Sequence, residues 1–92
     1  MESLHMSDNY NNLSEVDSQV LARAVVRIKT LKLLRTHLTT VQATTLLQTI
    51  LAEKELVMES LDMSRNGLSY INGQLLARAV VRIKNINMYR IH

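Results

Sequence analysis

Cysteine is absent from the 92 residues, which excludes disulfides and thiolate metal sites and leaves the redox compartment open apart from a lean to the cytosol. Trp and Phe are also absent although 47% of the residues are hydrophobic, so any core is aliphatic, built from Leu, Ile, Val, Ala and Met. Many small, similar layers suit that composition better than one centre with large aromatic anchors. No apolar run approaches the roughly 20 residues that a membrane span needs, and Glu2 and Asp8 among scattered polar residues leave no signal-peptide core. These absences predict a cytoplasmic protein with no membrane partner. Only two glycines are present, so there is no Gly-rich phosphate loop, and no carboxylate pair stands in a recognisable motif. The sequence therefore predicts neither an enzyme nor a cofactor. A net charge of +3, from 11 basic and 8 acidic residues, is too mild to imply nucleic acid.

What is present is repetition. The stretch Leu21-Ala22-Arg23-Ala24-Val25-Val26-Arg27-Ile28-Lys29 returns unchanged as Leu76-Ala77-Arg78-Ala79-Val80-Val81-Arg82-Ile83-Lys84, nine identical residues at a spacing of 55. Upstream of each copy, Met1-Glu2-Ser3-Leu4-His5-Met6-Ser7-Asp8 is matched at six of eight positions by Met58-Glu59-Ser60-Leu61-Asp62-Met63-Ser64-Arg65. The first copy holds two extra residues within Asn9-Tyr10-Asn11-Asn12, opposite Asn66-Gly67, and such an insertion belongs in a loop.

The middle section is less similar but follows the same pattern. Ile28 to Leu38 and Met58 to Leu68 both carry apolar residues at positions 1, 4, 6 and 11 of an eleven-residue frame, and Ile83 to His92 begins the frame again. After each of the first three frames comes Leu, then Ser or Thr, then any residue, then Val or Ile: Leu13 to Val16, Leu38 to Val41 and Leu68 to Ile71. Another leucine follows at Leu21, Leu46 and Leu76.

The frame resembles the leucine-rich repeat, L-x-x-L-x-L-x-x-N-x-L, over essentially the whole chain. Units alternate in length, 27 residues from Leu4 to Leu31, 30 from Leu31 to Leu61 and 25 from Leu61 to Ile86. In this they look like the ribonuclease-inhibitor-like class, also found in NACHT-type immune receptors. The resemblance implies an α/β fold, a short solenoid with parallel β-strands on one side and α-helices on the other. It would be a single domain with units at about 1–27, 28–57, 58–82 and a partial 83–92. Strands are expected at Ser3–Ser7, Thr30–Leu34, Ser60–Ser64 and Asn85–Tyr89, with three intervening helices. It also implies that Asn66, with Asn9 or Asn11, bonds loop amides between units. Thr36 and Ile91 take that place elsewhere.

Leu21, Ala24, Val25 and Ile28 fall at i, i+3, i+4 and i+7, as do Leu76, Ala79, Val80 and Ile83, which predicts one apolar stripe on each of two helices. Arg23, Arg27 and Lys29, repeated as Arg78, Arg82 and Lys84, then form a solvated outer face. Leu46, Leu47, Ile50 and Leu51 supply the buried face of the middle helix. Asp17 or Ser18 caps the first helix, and Thr39 with Gln42 has the spacing of a capping box for the middle one. All five methionines sit where the frame places leucine and are read as filler of an aliphatic core. His37 and His92 are equivalent by alignment and are read as loop-edge residues carried along by duplication.

Candidate binding residues follow from strand alternation, which turns frame positions 3, 5 and 7 away from the helices and sets position 8 at their border. The set is Lys32, Leu34, Arg35, Asp62, Arg65, Asn87, Tyr89 and Arg90. Arg35, Arg65 and Arg90 are expected in a row on adjacent strands, flanked by Leu34 and Tyr89. Such a row fits an acidic segment of another protein, held by forked, charge-assisted hydrogen bonds around an aromatic anchor. The predicted function is a non-enzymatic protein–protein interaction scaffold, or a fragment of one cut from a longer array. The alternative is a regulatory or sensor module of a NACHT-type receptor-like protein. A basic nucleic-acid surface is disfavoured, because stacking aromatics are nearly absent and acidic residues are interspersed. Bare apolar layers at both ends predict self-association unless more units adjoin them.

Overall fold

Strands and helices alternate as the periodicity predicts: β1 (Ser3–Ser7), α1 (Ser18–Val25), β2 (Thr30–Leu34), α2 (Thr40–Ala52), β3 (Ser60–Asp62), α3 (Gly73–Arg82) and β4 (Asn85–Asn87). This architecture is that of a computed structural model, which describes residues 2–7, 12–68 and 70–89. A helix joins each strand to the next and returns the chain to the end where strands begin, so all four strands run parallel in the order β1-β2-β3-β4. The register is the one the aligned frames dictate, with Ser3 opposite Thr30, Thr30 opposite Ser60 and Ser60 opposite Asn85.

Alternation along the strands divides the sheet into a dry face and an open one. Leu31, Leu33, Leu61 and Met63 point to the helices and are sealed, while Lys32 and Asn87 on the opposite face are exposed. Leu4 and Met6 of β1, Ile86 of β4 and Met88 just beyond it pack against the same core but keep partial exposure. Leu46, Leu47 and Ile50 of α2 are sealed above the two central strands, and Leu51 is half-buried. Of the methionines, Met58 and Met63 are buried in this aliphatic core. Among the described residues no helix is long and apolar enough to cross a membrane.

Both expected caps form. Asp17 accepts the N–H groups of Gln19 and Val20, at 2.9 and 3.0 Å, and starts α1. Thr39 Oγ1 accepts the Gln42 N–H at 3.1 Å while Gln42 Oε1 accepts the Thr39 N–H at 2.9 Å, which starts α2. In α3 the N-cap is Asn72.

Three expectations need correction. First, the stripe on α1 is rotated: Ala22 and Val26 are buried with Leu21 and Val25, and Ala24 is exposed. On α3 the same nine letters behave differently, because α2 lies on the opposite side of that helix. Val25 and Val26 are each 4% exposed against α2, whereas their counterparts Val80 and Val81 are 43% and 86% exposed. Second, Lys29 and Lys84 lie beyond the ends of α1 and α3, at the entries to β2 and β4 rather than on a helical face. Lys29 pairs with Glu2 and Glu59, Lys84 pairs with Glu59, and Arg82 donates from Nη1 to the Ile50 carbonyl at the end of α2.

Third, β3 and β4 stop two residues early. Asp62 Oδ1 accepts the Ser64 N–H and Asn87 Oδ1 accepts the Tyr89 N–H, each at 3.0 Å. These side chains offer the backbone a local partner and turn it out of the strand. In β2 the corresponding residue is Lys32, which has no acceptor, and that strand runs on to Leu34.

Candidate functional site

Among the described residues, the segments that follow β2 and β3 share a backbone conformation that side chains avoid. Arg35 and Arg65, both at frame position 8, have φ of 50° and 61°. Two residues on, His37 and Gly67 are again equivalent and have φ of 60° and 64°. Only glycine adopts this left-handed region without a steric penalty. Among the described residues glycine takes one of four such positions and basic residues take the other three. Ordered cross-strand bonds hold the conformation: the Arg35 N–H donates to the Ser64 carbonyl at 3.3 Å and the Arg65 N–H to the Tyr89 carbonyl at 2.9 Å.

Asn66 fixes the two loops against each other. Its Oδ1 accepts the N–H groups of Thr36 (2.9 Å) and Leu38 (3.1 Å) in the preceding loop. Its Nδ2 donates to the carbonyl of Leu33 in β2 and to those of Met63 and Ser64 in its own loop. Thr36 stands at the equivalent frame position but is too short to span a gap between loops. Its backbone carbonyl substitutes, accepting the Leu13 N–H at 2.8 Å. Gln42 adds a second bridge that the capping-box spacing does not reveal, because its Nε2 donates to the carbonyls of Leu13 and Val16.

The sequence-derived site residues divide as follows. Arg35 and Arg65 come together around a shallow cavity of about 130 Å³, with His37 and Asn66 completing its walls. Tyr89 is 57% exposed and lies beneath Arg65, whose guanidinium carbon is 5.9 Å from the ring centroid, within cation–π range. Leu34 is half-buried at the end of β2. Arg90 lies outside the described residues, so the third place in the arginine row is not described. Lys32 and Asp62 stand opposite each other in register, as do Asp62 and Asn87, below the arginines. These three line an open cleft of about 690 Å³ whose walls also include Lys84 and the apolar Val80, Ile83 and Ile86. Asp62 and Asn87 also carry the turn-forming bonds described above, which gives them a structural task. Ser64, expected on the open face, is buried, donating from Oγ to Asn87 Oδ1 at 3.2 Å and accepting the Tyr89 N–H at 3.0 Å.

His37 is the residue that the frame argument missed. Its alignment with Gly67 marked a position suited to left-handed backbone, which swings the following chain around the arginines. Replacing His37 by Gly relieves a strain of about 1–2 kcal/mol but loosens the unfolded chain by about 0.5–1 kcal/mol. A net gain of about 0.5 kcal/mol is therefore expected, read as a higher urea midpoint at unchanged slope, and a lower midpoint would show that the imidazole holds the loop.

Among the described residues no group of three His, Asp or Glu side chains could hold a metal ion. No protein-family model, curated protein or solved structure matches the chain.

Proposed function

We propose that this chain is a cytoplasmic, non-enzymatic interaction scaffold of the leucine-rich-repeat kind, which binds an acidic segment of another protein along the rim formed by Arg35, Arg65 and Tyr89. The supporting observation is that Arg35 and Arg65, both in left-handed backbone, face one small cavity beside an exposed tyrosine. Strained basic residues persist where the surrounding bonds over-determine them, and such positions concentrate at ligand-binding sites. A carboxylate in the cavity would meet two guanidinium forks, and Tyr89 would supply apolar area next to it. The repeat reading is supported by the coincidence of aligned frames with parallel strand register and by the amide bridge from Asn66. Nucleic acid is a poorer fit, since Lys29 and Lys84 are engaged with Glu2 and Glu59 and lie at the opposite ends of the strands from the arginines.

The test is Arg65→Glu against a short Glu-rich peptide. Reversing the charge removes a charge-assisted pair and adds a repulsion, so affinity is expected to fall about thirtyfold, or about 2 kcal/mol. Equal affinity for wild type and variant would remove the rim from consideration.

A further inference from the structure

The two outer edges of this fold complement each other, and we propose that copies of the chain assemble head to tail. In this assembly β4 of one copy pairs in parallel with β1 of the next, and α3 packs on α1 of that next copy. The occupant of the exposed α3 face is thus a second copy of this chain, and the association uses neither Arg35 nor Arg65.

Charge makes the first part of the case. The residue preceding each strand alternates in sign across the sheet, Glu2, Lys29, Glu59, Lys84, and neighbours are ion-paired at 3.7–3.9 Å. At one edge Glu2 is 86% exposed, and at the other Lys84 is 75% exposed. Docking the head of one copy on the tail of another sets Glu2 beside Lys84 and continues the alternation. The junction reproduces the one already present between β2 and β3, where Lys29 meets Glu59 and the Glu59 N–H donates to the Lys29 carbonyl at 2.8 Å. Tail-to-tail contact would join two β4 edges and leave Lys84 without a Glu2 to meet.

The helices make the second part. Val80 and Val81 on α3 carry the same letters as Val25 and Val26, which α1 buries against α2. The outward face of α1 shows Ala24, the exposed counterpart of Ala79, which is buried in α3. Each apolar face bared at an edge is therefore one that the fold buries elsewhere.

A contact between unlike edges is heterologous and leaves an edge open after every addition, so the assembly grows instead of stopping at a dimer.

Sedimentation equilibrium over a concentration series tests the proposal. The weight-average mass is expected to climb from 10.5 kDa past two chains. Val81→Glu blocks the tail and Ala24→Glu blocks the head; both positions are exposed, so the fold should tolerate them. Each variant alone is expected to stay at one chain, with association weakened at least about tenfold by the buried charge, while an equimolar mixture forms two-chain complexes and nothing larger. Lys84→Glu, which turns the exposed pair with Glu59 and the junction pair with Glu2 into repulsions, should weaken association by no more than about fivefold. A wild-type mass fixed at one chain overturns the proposal. So does dimerisation of Ala24→Glu alone, which would place the contact tail to tail.

Discussion

Asn66→Ala is expected to cost about 3–4 kcal/mol, because one amide serves five backbone groups on two loops. The two N–H groups of Thr36 and Leu38 matter most, since both belong to buried residues and have no alternative acceptor in an alanine side chain. A buried donor left without a partner costs about 1–3 kcal/mol. The three carbonyls lose less, because Asn66 is only half-buried and water can reach part of the space it vacates. A chain of this length has about 5–14 kcal/mol of stability in all, so the variant should remain folded in the cold and unfold at a much lower urea concentration. Amide exchange at Thr36 and Leu38 should accelerate along with it. Asn66→Asp separates the two halves of the interaction, since a carboxylate still accepts from Thr36 and Leu38 but faces the carbonyls of Leu33, Met63 and Ser64. A loss below about 1 kcal/mol for Asn66→Ala would mean that water replaces the amide and that the loops do not depend on it.

Gln42→Glu should be nearly as damaging, although the capping box alone forecasts no change. Glutamate serves at this helix position as well as glutamine, because Oε1 is the atom that accepts from Thr39. The other half of the amide is the difference. Gln42 is buried, and its Nε2 donates to the carbonyls of Leu13 and Val16, which join the loop before α1 to the start of α2. A carboxylate there replaces a donor by an acceptor against two acceptors, with an expected loss of about 3 kcal/mol at neutral pH. Protonating the new carboxyl gives back one donor, so the folded state binds that proton more tightly than the unfolded state. The raised folded-state pKa means that stability is recovered as pH falls through the carboxylate range and lost as it rises. Thermal melts of wild type and variant should therefore converge toward acidic pH. Parallel pH dependence of the two proteins would place the Gln42 amide in water.

Much of the framework is legible in the letters because each unit repeats the same short instruction. The bounds of β1 and β2, the capping box at Thr39 and Gln42, and the bridging task of Asn66 follow from frame positions. What depends on neighbours does not. Identical sequence at α1 and α3 cannot say that Val26 is covered while Val81 is bare, since covering is a property of the adjacent layer. Nor does alternation alone forecast that Asp62 and Asn87 would turn their own backbone and shorten β3 and β4, because the competing bond is local and lies outside the period-two pattern. The arginine rim was readable as a row in the frame, but its left-handed backbone was signalled only by the alignment of His37 with Gly67. The bridge from Gln42 to the first loop had no signal in the sequence, since the same amide already satisfied the cap.

The most direct measurement of the rim as a recognition surface is a backbone amide NMR titration of the chain with a Glu-rich peptide. The expected result is that the largest shifts cluster at Arg35, His37, Arg65 and Tyr89, leave α1 and α2 unmoved, and disappear in Arg65→Glu. Shifts confined to the helices, or a spectrum unchanged at saturating peptide, would contradict it.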